Sequence, residues 1–575
     1  MVLPEGGPSS KTSRPTTPKL AGLAAAVAVL AGAVFALGQA TAPPEDLAAA
    51  ASTTTTIELL IRPTTTTTFD LENFTVAEIA TGDRLSWIRS PAIGDVWPID
   101  LVEHDDRLYL FTSTDSATPR SRFNDVQVWA SDDAIAWHRV GAVGGPAHIV
   151  RKVESVGERL VALGRRVDDG SPVVWFSDDG AVWTATDLPT VASEHQVATA
   201  TWLTGAAELD GRLVITGTVD TDLELTLRQY IPAEIIGHPK QHSIGFGLDQ
   251  GPDGRVIRVY GPLGLVGYSA SLDELGIDDE TANTLFHRSQ SSSGRIWVSD
   301  DKGASWALSE LDSGWVGSMW PASDSSLVAS VWNQSGPTLS RTEDGITWVP
   351  LDTSSDAQVV ATWNGLLIGI SGNVHVVRSS NGQNWNFLGT GELLPDQLSW
   401  NLSPLAAGPG GLAVVASHWD PGEARDPASV IVQKDGHTLT LDYAAGVATV
   451  IGSGQAVTIP MWSATESDLA TVDFVDEQVT FHDPETGDGM VSFDFATLEK
   501  AEAASFGRPG SVDHALLVTR QSGWAVLDLA EEIGDDQRVM LMHVFGDRLV
   551  LVTHPLDFSG RVGLSLPSIR SAVLR

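Results

Sequence analysis

The sequence predicts an all-β fold assembled from small repeated sheets, and two interlocking repeats with a turn-rich composition carry that prediction. The first repeat sets a hydroxyl residue two positions ahead of Asp or Asn, then a turn, then Trp. It occurs as Ser131, Asp133, Trp137; Ser177, Asp179, Gly180, Trp183; Ser299, Asp301, Gly303, Trp306; Thr342, Asp344, Gly345, Trp348; and Ser379, Asn381, Gly382, Trp385. The second is a turn running into an apolar strand, beginning at Asp105, Gly157, Asp210, Asp324, Asn364, Gly410 and Gly546. The 55 Gly, 30 Pro and 19 Trp fit short strands broken by Asp-Gly, Asn-Gly and Gly-Gly turns.

The two repeats alternate: Trp137 is followed by Gly157 after 20 residues, Trp306 by Asp324 after 18, and Trp348 by Asn364 after 16. A unit of about 40 to 50 residues with several short strands is the signature of a β-propeller blade, a four-stranded sheet that buries its faces against its neighbours. The Ser-x-Asp-(x)-Gly-x-x-Trp pattern resembles the Asp box, or bacterial neuraminidase repeat, of sialidase-like propellers, with its best match at Ser299 to Trp306. The resemblance implies a hairpin between the third and fourth strands of each blade, on the face away from the ligand site. On that reading the boxes are structural: hydroxyl and carboxylate bond turn amides, Gly takes the unusual backbone angle and Trp packs into the sheet. Weaker copies run from Thr81 to Trp87, Lys434 to Leu439 and Thr519 to Trp524. The turn–strand units give seven blades, or eight if the run from Phe474 to Phe481 is one. Strands near Arg561 to Leu566 and Phe74 to Ile79 are expected to pair and close the ring.

In chain order, residues 1–19 are a basic tail with Lys11, Arg14 and Lys19, and 20–40 are a transmembrane signal anchor. The uncharged run from Leu20 to Leu37 reaches about 27 Å as a helix, near the thickness of a bilayer core. The basic side stays in the cytoplasm, which places the C-terminal domain outside a single-pass cell-membrane anchor; the alternative is secretion after cleavage near Ala42. Residues 41–69 form a Thr/Pro-rich linker, and 70–575 are the propeller, with insertions at about 221–293 and 440–510. A helix is expected in the first insertion around Leu272 to Phe286. The chain has no cysteine, so the exported domain relies on its apolar core.

A net charge of -38, from 73 acidic against 35 basic residues, excludes a nucleic-acid partner, because phosphate contacts need clustered Lys and Arg. No cofactor motif is present: there is no phosphate-cradling loop, no cysteine nucleophile and no G-x-S-x-G elbow. The resemblance to sialidases would imply an Arg-Ile-Pro motif on an early strand, an Arg triad and a Tyr nucleophile. Here the comparable string, Ile61-Arg62-Pro63, lies in the linker. The primary expectation is therefore a membrane-anchored binding or scaffold module for an extracytoplasmic protein or glycan. The alternative is a sialidase-like glycoside hydrolase using carboxylates at the propeller centre. Candidate ligand-face residues are Arg228, Tyr230, Arg255 and Arg258 in the first insertion, near His238, Lys240, His242 and Tyr260. Pro239 stands between the two His, which are read as surface residues rather than metal ligands. The run Asp249 to Gly254 hints at a calcium loop but has Tyr260 where the twelfth-position acid belongs.

Overall fold

The computed structural model describes residues 85–574 apart from internal segments, the longest being 114–124, 191–197, 232–244, 420–428, 499–511 and 556–566. The anchor, the linker, the segments 74–79 and 561–566, and His238, Lys240 and His242 lie outside the described residues. No described helix is long and apolar enough to cross a membrane.

The chain is all-β with few helices, built of four-stranded antiparallel sheets arranged as in a β-propeller. Seven of these sheets follow one another and are labelled S1 to S7. S1 spans 97–143, S2 148–187, S3 199–311, S4 315–350, S5 358–387, S6 400–528 and S7 537–573. The fourth strand of S7 comes from the other end of the chain: Trp87–Arg89 pairs with Ser568–Val573 through Trp87↔Ala572 and Arg89↔Arg570. An early strand thus pairs with a late one; the expected pairing of 74–79 with 561–566 lies outside the described residues. Trp87 opens this fourth strand, the place that the box tryptophans hold in other sheets.

Strand propensity explains the sheets, and burial explains their stacking. Each second strand is a run such as Leu160 to Leu163 or Leu549 to Val552 that is buried on both faces, as expected for a sheet covered on both sides. Hydrophobic clusters lie between S1 and S2, S2 and S3, and so on around to S7 and S1. The first strand of each sheet also touches the first strand of the next, and that of S7 touches that of S1. Each of these inner strands slips register against its partner, near Ile99, Arg151, Thr204, Gly317, Val360, Ser403 and Met540, and that of S4 slips again between Pro321 and Ser323. Each bulge bends its inner strand and turns its extra residue out of the ladder.

The turn–strand repeat is the hairpin from first to second strand. Asp105-Asp106, Asp210-Gly211 and Asn364-Gly365 take positive φ at both turn positions, the geometry that suits the twist of a two-residue hairpin. The first four box turns, those opening at Ser131, Ser177, Ser299 and Thr342, and the fifth at Ser379 all join third to fourth strands. In an antiparallel meander these two kinds of turn lie at one end of the sheet. The turns from second to third strand, and the links to the next sheet, lie at the other.

Both long excursions leave from second-to-third turns. One runs from Thr221 to Ser293 within S3, the other from Trp419 to Val512 within S6. The first holds a helix Leu223–Tyr230, a sheet of Gly245–Gly251, Gly254–Tyr260 and Val266–Ser271, and helices Leu272–Leu275 and Asp279–Phe286. The single helix expected over 272–286 is two, because Gly276 takes φ 67 and ends the first. The second excursion holds a four-stranded sheet over 430–460 and a three-stranded one over 470–494. Asp435-Gly436, read from the sequence as a degenerate box, is the turn of a hairpin in this four-stranded sheet, and the run from Phe474 to Phe481 leads into the middle strand, Gln478–His482, of the other. Local turn chemistry is the same in both settings; only the long-range pairing separates them.

The two excursions share one core. Leu227, Ile257, Val259 and Leu272 from the first cluster with Leu441, Val450, Phe474, Phe481 and Phe493 from the second. Contact is direct, since a Cβ on Gly261 would lie 2.7 Å from Val472 Cγ1. S3 and S6 are three places apart in the ring, and both excursions leave from the same face. Together they form a cap over that face.

Candidate ligand-binding face

The hydroxyl–Asp–Trp repeats carry the strongest motif of the sequence, and their geometry is that of a tied turn. Asp344 Oδ1 accepts from Ile346 N at 2.8 Å, Thr347 N at 2.7 Å and Thr342 Oγ1 at 3.0 Å. Gly345 N donates to Thr342 Oγ1 at 2.9 Å, and Trp348 Nε1 donates to Gly345 O at 3.3 Å. The boxes at Ser177 and Ser379 repeat this pattern with Asp179 and Asn381. Asp301 accepts from Ser299 Oγ, Ser305 N and Ser305 Oγ, and Asp133 from Ser131 Oγ, Ile135 N and Ala136 N. Gly180 has φ +73, and a Cβ there would meet the Tyr109 ring of the preceding sheet at 2.7 Å, so space and backbone both demand Gly.

Donors from the turn hold these carboxylates down. The Ser305 hydroxyl and amide lower Asp301 to about 2, and the Thr347 amide does most to lower Asp344 to about 2. Arginines of the other repeat reach the same turns: Arg107 meets Asp132 at 2.9 Å, Arg159 donates to Lys302 O at 3.0 Å, and Arg212 meets Asp300 at 2.8 Å and Asp344 O at 3.3 Å. The two sequence repeats therefore interlock in space, partly from one sheet to the next, and the box face is occupied with holding itself together.

The cation-rich residues of the first excursion are tied locally. Arg258 pairs with Asp249 at 3.2 Å, and Tyr260 Oη donates to the same carboxylate oxygen at 2.5 Å. Arg255 donates to Asn283 Oδ1 at 2.9 Å and meets Asp279 at 3.4 Å. These contacts lace the small sheet to itself and to helix Asp279–Phe286. Tyr230 packs against the shared core of the cap. The side chain of Arg228 lies outside the described residues.

The inner strands place a polar group at the centre. Asp100 accepts from Leu101 N and Val153 N, both at 2.9 Å, the second across to S2. Lys152 meets Glu154 at 2.5 Å and donates to Thr204 O at 3.1 Å and Ser318 Oγ at 3.0 Å, so one lysine of S2 bridges S3 and S4. A reach from S2 to S4 shows how narrow the centre is at this level. Burial raises both the Asp100 and Glu154 carboxyls; for Asp100 the Val153 amide opposes this most, and for Glu154 the Lys152 charge does. Among the described residues, no group of three or more His, Asp or Glu is disposed to hold a metal ion.

Aromatic residues collect at the cap-side ends of the inner strands. Trp97, Trp315 and Trp400 each open one, and Trp202 lies near the start of another. Trp97 lies 4.7 Å from His554, Trp400 5.5 Å from His418, and Trp315 6.1 Å from Trp332, centroid to centroid. Arg151 and Arg165 sit over the Trp202 ring at 4.0 and 3.9 Å, and burial with the Arg165 charge draws Arg151 down to about 10. Arg165 also meets Asp222 at 3.3 Å, the residue that caps helix Leu223–Tyr230 through Leu225 N. The root of the cap is thus pinned to the aromatic collar. The sequence held a signal for it: Trp97, Trp202, Trp315 and Trp400 each stand about eight or nine residues ahead of a strand-one turn.

No family model and no curated protein matches the chain. Solved structures similar to it include an α-L-arabinanase of Penicillium chrysogenum, with 10% identity and TM-score 0.30 over 85% of this chain and 99% of that one. A β-fructofuranosidase of Bombyx mori gives 12% and 0.28 over 87% and 95%, and a sialidase of Streptococcus pneumoniae 10% and 0.28 over 81% and 83%. At such identities and scores the likeness adds nothing to the chemistry argued from the residues.

Proposed function

We propose that this chain is a membrane-tethered, extracytoplasmic propeller of seven blades, S1 to S7, that binds a glycan or protein partner between its cap and its aromatic collar. The observation that carries this reading is the shared core of the two excursions, which joins opposite sides of the ring over one face. Propellers present wide faces suited to binding, and an apolar, aromatic-rimmed mouth with a few convergent polar groups is the usual make-up of a ligand site. The seven clusters between neighbouring sheets support the blade count. The basic tail, the apolar run and the Thr-rich linker support the tether.

Glycoside hydrolysis is the second reading, and Glu154 is what favours it: a carboxyl raised by burial, close enough to Asp100 for that charge to raise it further. Against it, Asp100 already holds two backbone amides and Glu154 holds Lys152, the arrangement of struts between sheets. To separate the readings, the full-length chain is incubated with a polysaccharide panel, and both retention and release of reducing ends are measured. Retention without release, unchanged by Glu154→Gln, is the expected result. Release of reducing ends that Glu154→Gln abolishes would establish the hydrolase and overturn the binding module.

A further inference from the structure

We infer that Trp315 and Trp332 form a stacking subsite for an uncharged saccharide; this rests on the reading above and names its ligand class. The two residues are directly opposed in S4, Trp315 opening the inner strand and Trp332 near the end of the second, which puts both at the cap-side end. Each keeps about two fifths of its surface exposed, 40% and 38%. Large side chains of this kind are normally buried or partnered, and no other described tryptophan is as exposed. Their ring centroids are 6.1 Å apart with planes at 66°, so one indole offers its face where the other offers its edge. Among the described residues neither indole N–H donates a hydrogen bond, which leaves two donors at the edge of the corner.

Charge decides the occupant. From Trp315 to Ser340 the only charged residue in the sequence is Asp324, in a chain that is 19% charged with a net -38. The polar residues of this stretch are Ser, Thr, Asn and Gln. An acidic polymer or an anionic membrane would need cations of S4 itself, because the neighbouring Arg151 and Arg165 are engaged by the Trp202 ring, Arg165 also by Asp222, and Lys152 by Glu154. A neutral sugar ring needs what is present: an aromatic plane for its C–H face and neutral donors and acceptors for its hydroxyls.

The test uses calorimetry and tryptophan fluorescence on the full-length chain with tetrasaccharides of glucose, xylose, N-acetylglucosamine and galacturonate. A neutral tetrasaccharide is expected to bind and shift the fluorescence, with Trp315→Ala and Trp332→Ala each weakening it by about tenfold or more. Trp315→Phe should retain most of the affinity, and Phe387→Ala, an exposed ring on an outer strand, should change nothing. Neutral binding that survives both Ala variants overturns the inference, as does binding of the galacturonate alone or of no saccharide. Those outcomes leave the face open to a protein partner; that broader reading fails if a retained partner maps to the box face or if Glu154→Gln abolishes release of reducing ends.

Discussion

Asp344 shows how much one side chain does in a box. Its two oxygens accept four hydrogen bonds, from Ile346 N, Thr347 N, Thr342 Oγ1 and Thr347 Oγ1. Asp344→Ala removes all four and leaves two turn amides to water, which should cost about 1–3 kcal/mol in denaturant titration. Asp344→Asn should stay close to the parent, because Asn381 makes the same Oδ1 bonds in the fifth box, to Gln383 N at 2.9 Å and Asn384 N at 3.2 Å. The carboxylates differ from Asn in their pH dependence. Their folded pKa lies near 2 for Asp301 and Asp344 against an ordinary 3.8, so the stability they add is present above the ordinary value and lost as pH falls through the folded one. An Asp301→Asn, Asp344→Asn variant should therefore have a flatter acid limb between about pH 4 and 2. The effect should be small and salt-sensitive, since both groups lie near the surface. A limb as steep as the parent's would show that these aspartates are not tied as described.

At the scale of elements, the cap is the part the sequence concealed. The box hairpins were legible because each is a local code in which hydroxyl, carboxylate, Gly and Trp satisfy one another within a few residues. The cap has no such code: Leu441, Phe481 and Phe493 find Leu227, Ile257 and Leu272 only through the fold. Arg255 and Arg258 drew attention as cations in a long insertion, yet Asp279, Asn283 and Asp249 consume them. The collar tryptophans open strands rather than turns, so their spacing stayed hidden behind the stronger repeat. The contact between the excursions can be checked at Gly267, where a Cβ would run into the Phe474 ring and lie 2.9 Å from Val472 Cβ. Gly267→Ala should therefore overpack the shared core and destabilise the protein by about 1–3 kcal/mol in denaturant titration. A variant as stable as the parent would separate the excursions and remove the cap.

On the scale of the whole molecule, polar ties run between most neighbouring sheets, such as His104 to Ser155, Trp363 to Gly408 O and His543 to Glu103. Lys152 is the furthest-reaching, joining S2 to Thr204 of S3 and Ser318 of S4 while neutralising Glu154. Lys152→Met leaves that carboxylate without its partner and should destabilise the protein by about 1–3 kcal/mol, the pair being half-buried, whereas Lys152→Met with Glu154→Gln should recover much of the loss. Equal destabilisation in the two variants would mean that the lysine acts by packing alone. The same arrangement divides the molecule by face: boxes and their arginines on one side, collar and cap on the other. That division is the centre of the account, and hydrogen–deuterium exchange tests it most directly. With a retained ligand bound to the full-length chain, amides near Trp97, Trp202, Trp315 and Trp400 and in the cap should gain protection, and the turns 131–137, 177–183 and 299–306 should not change. Protection confined to the box turns would contradict it.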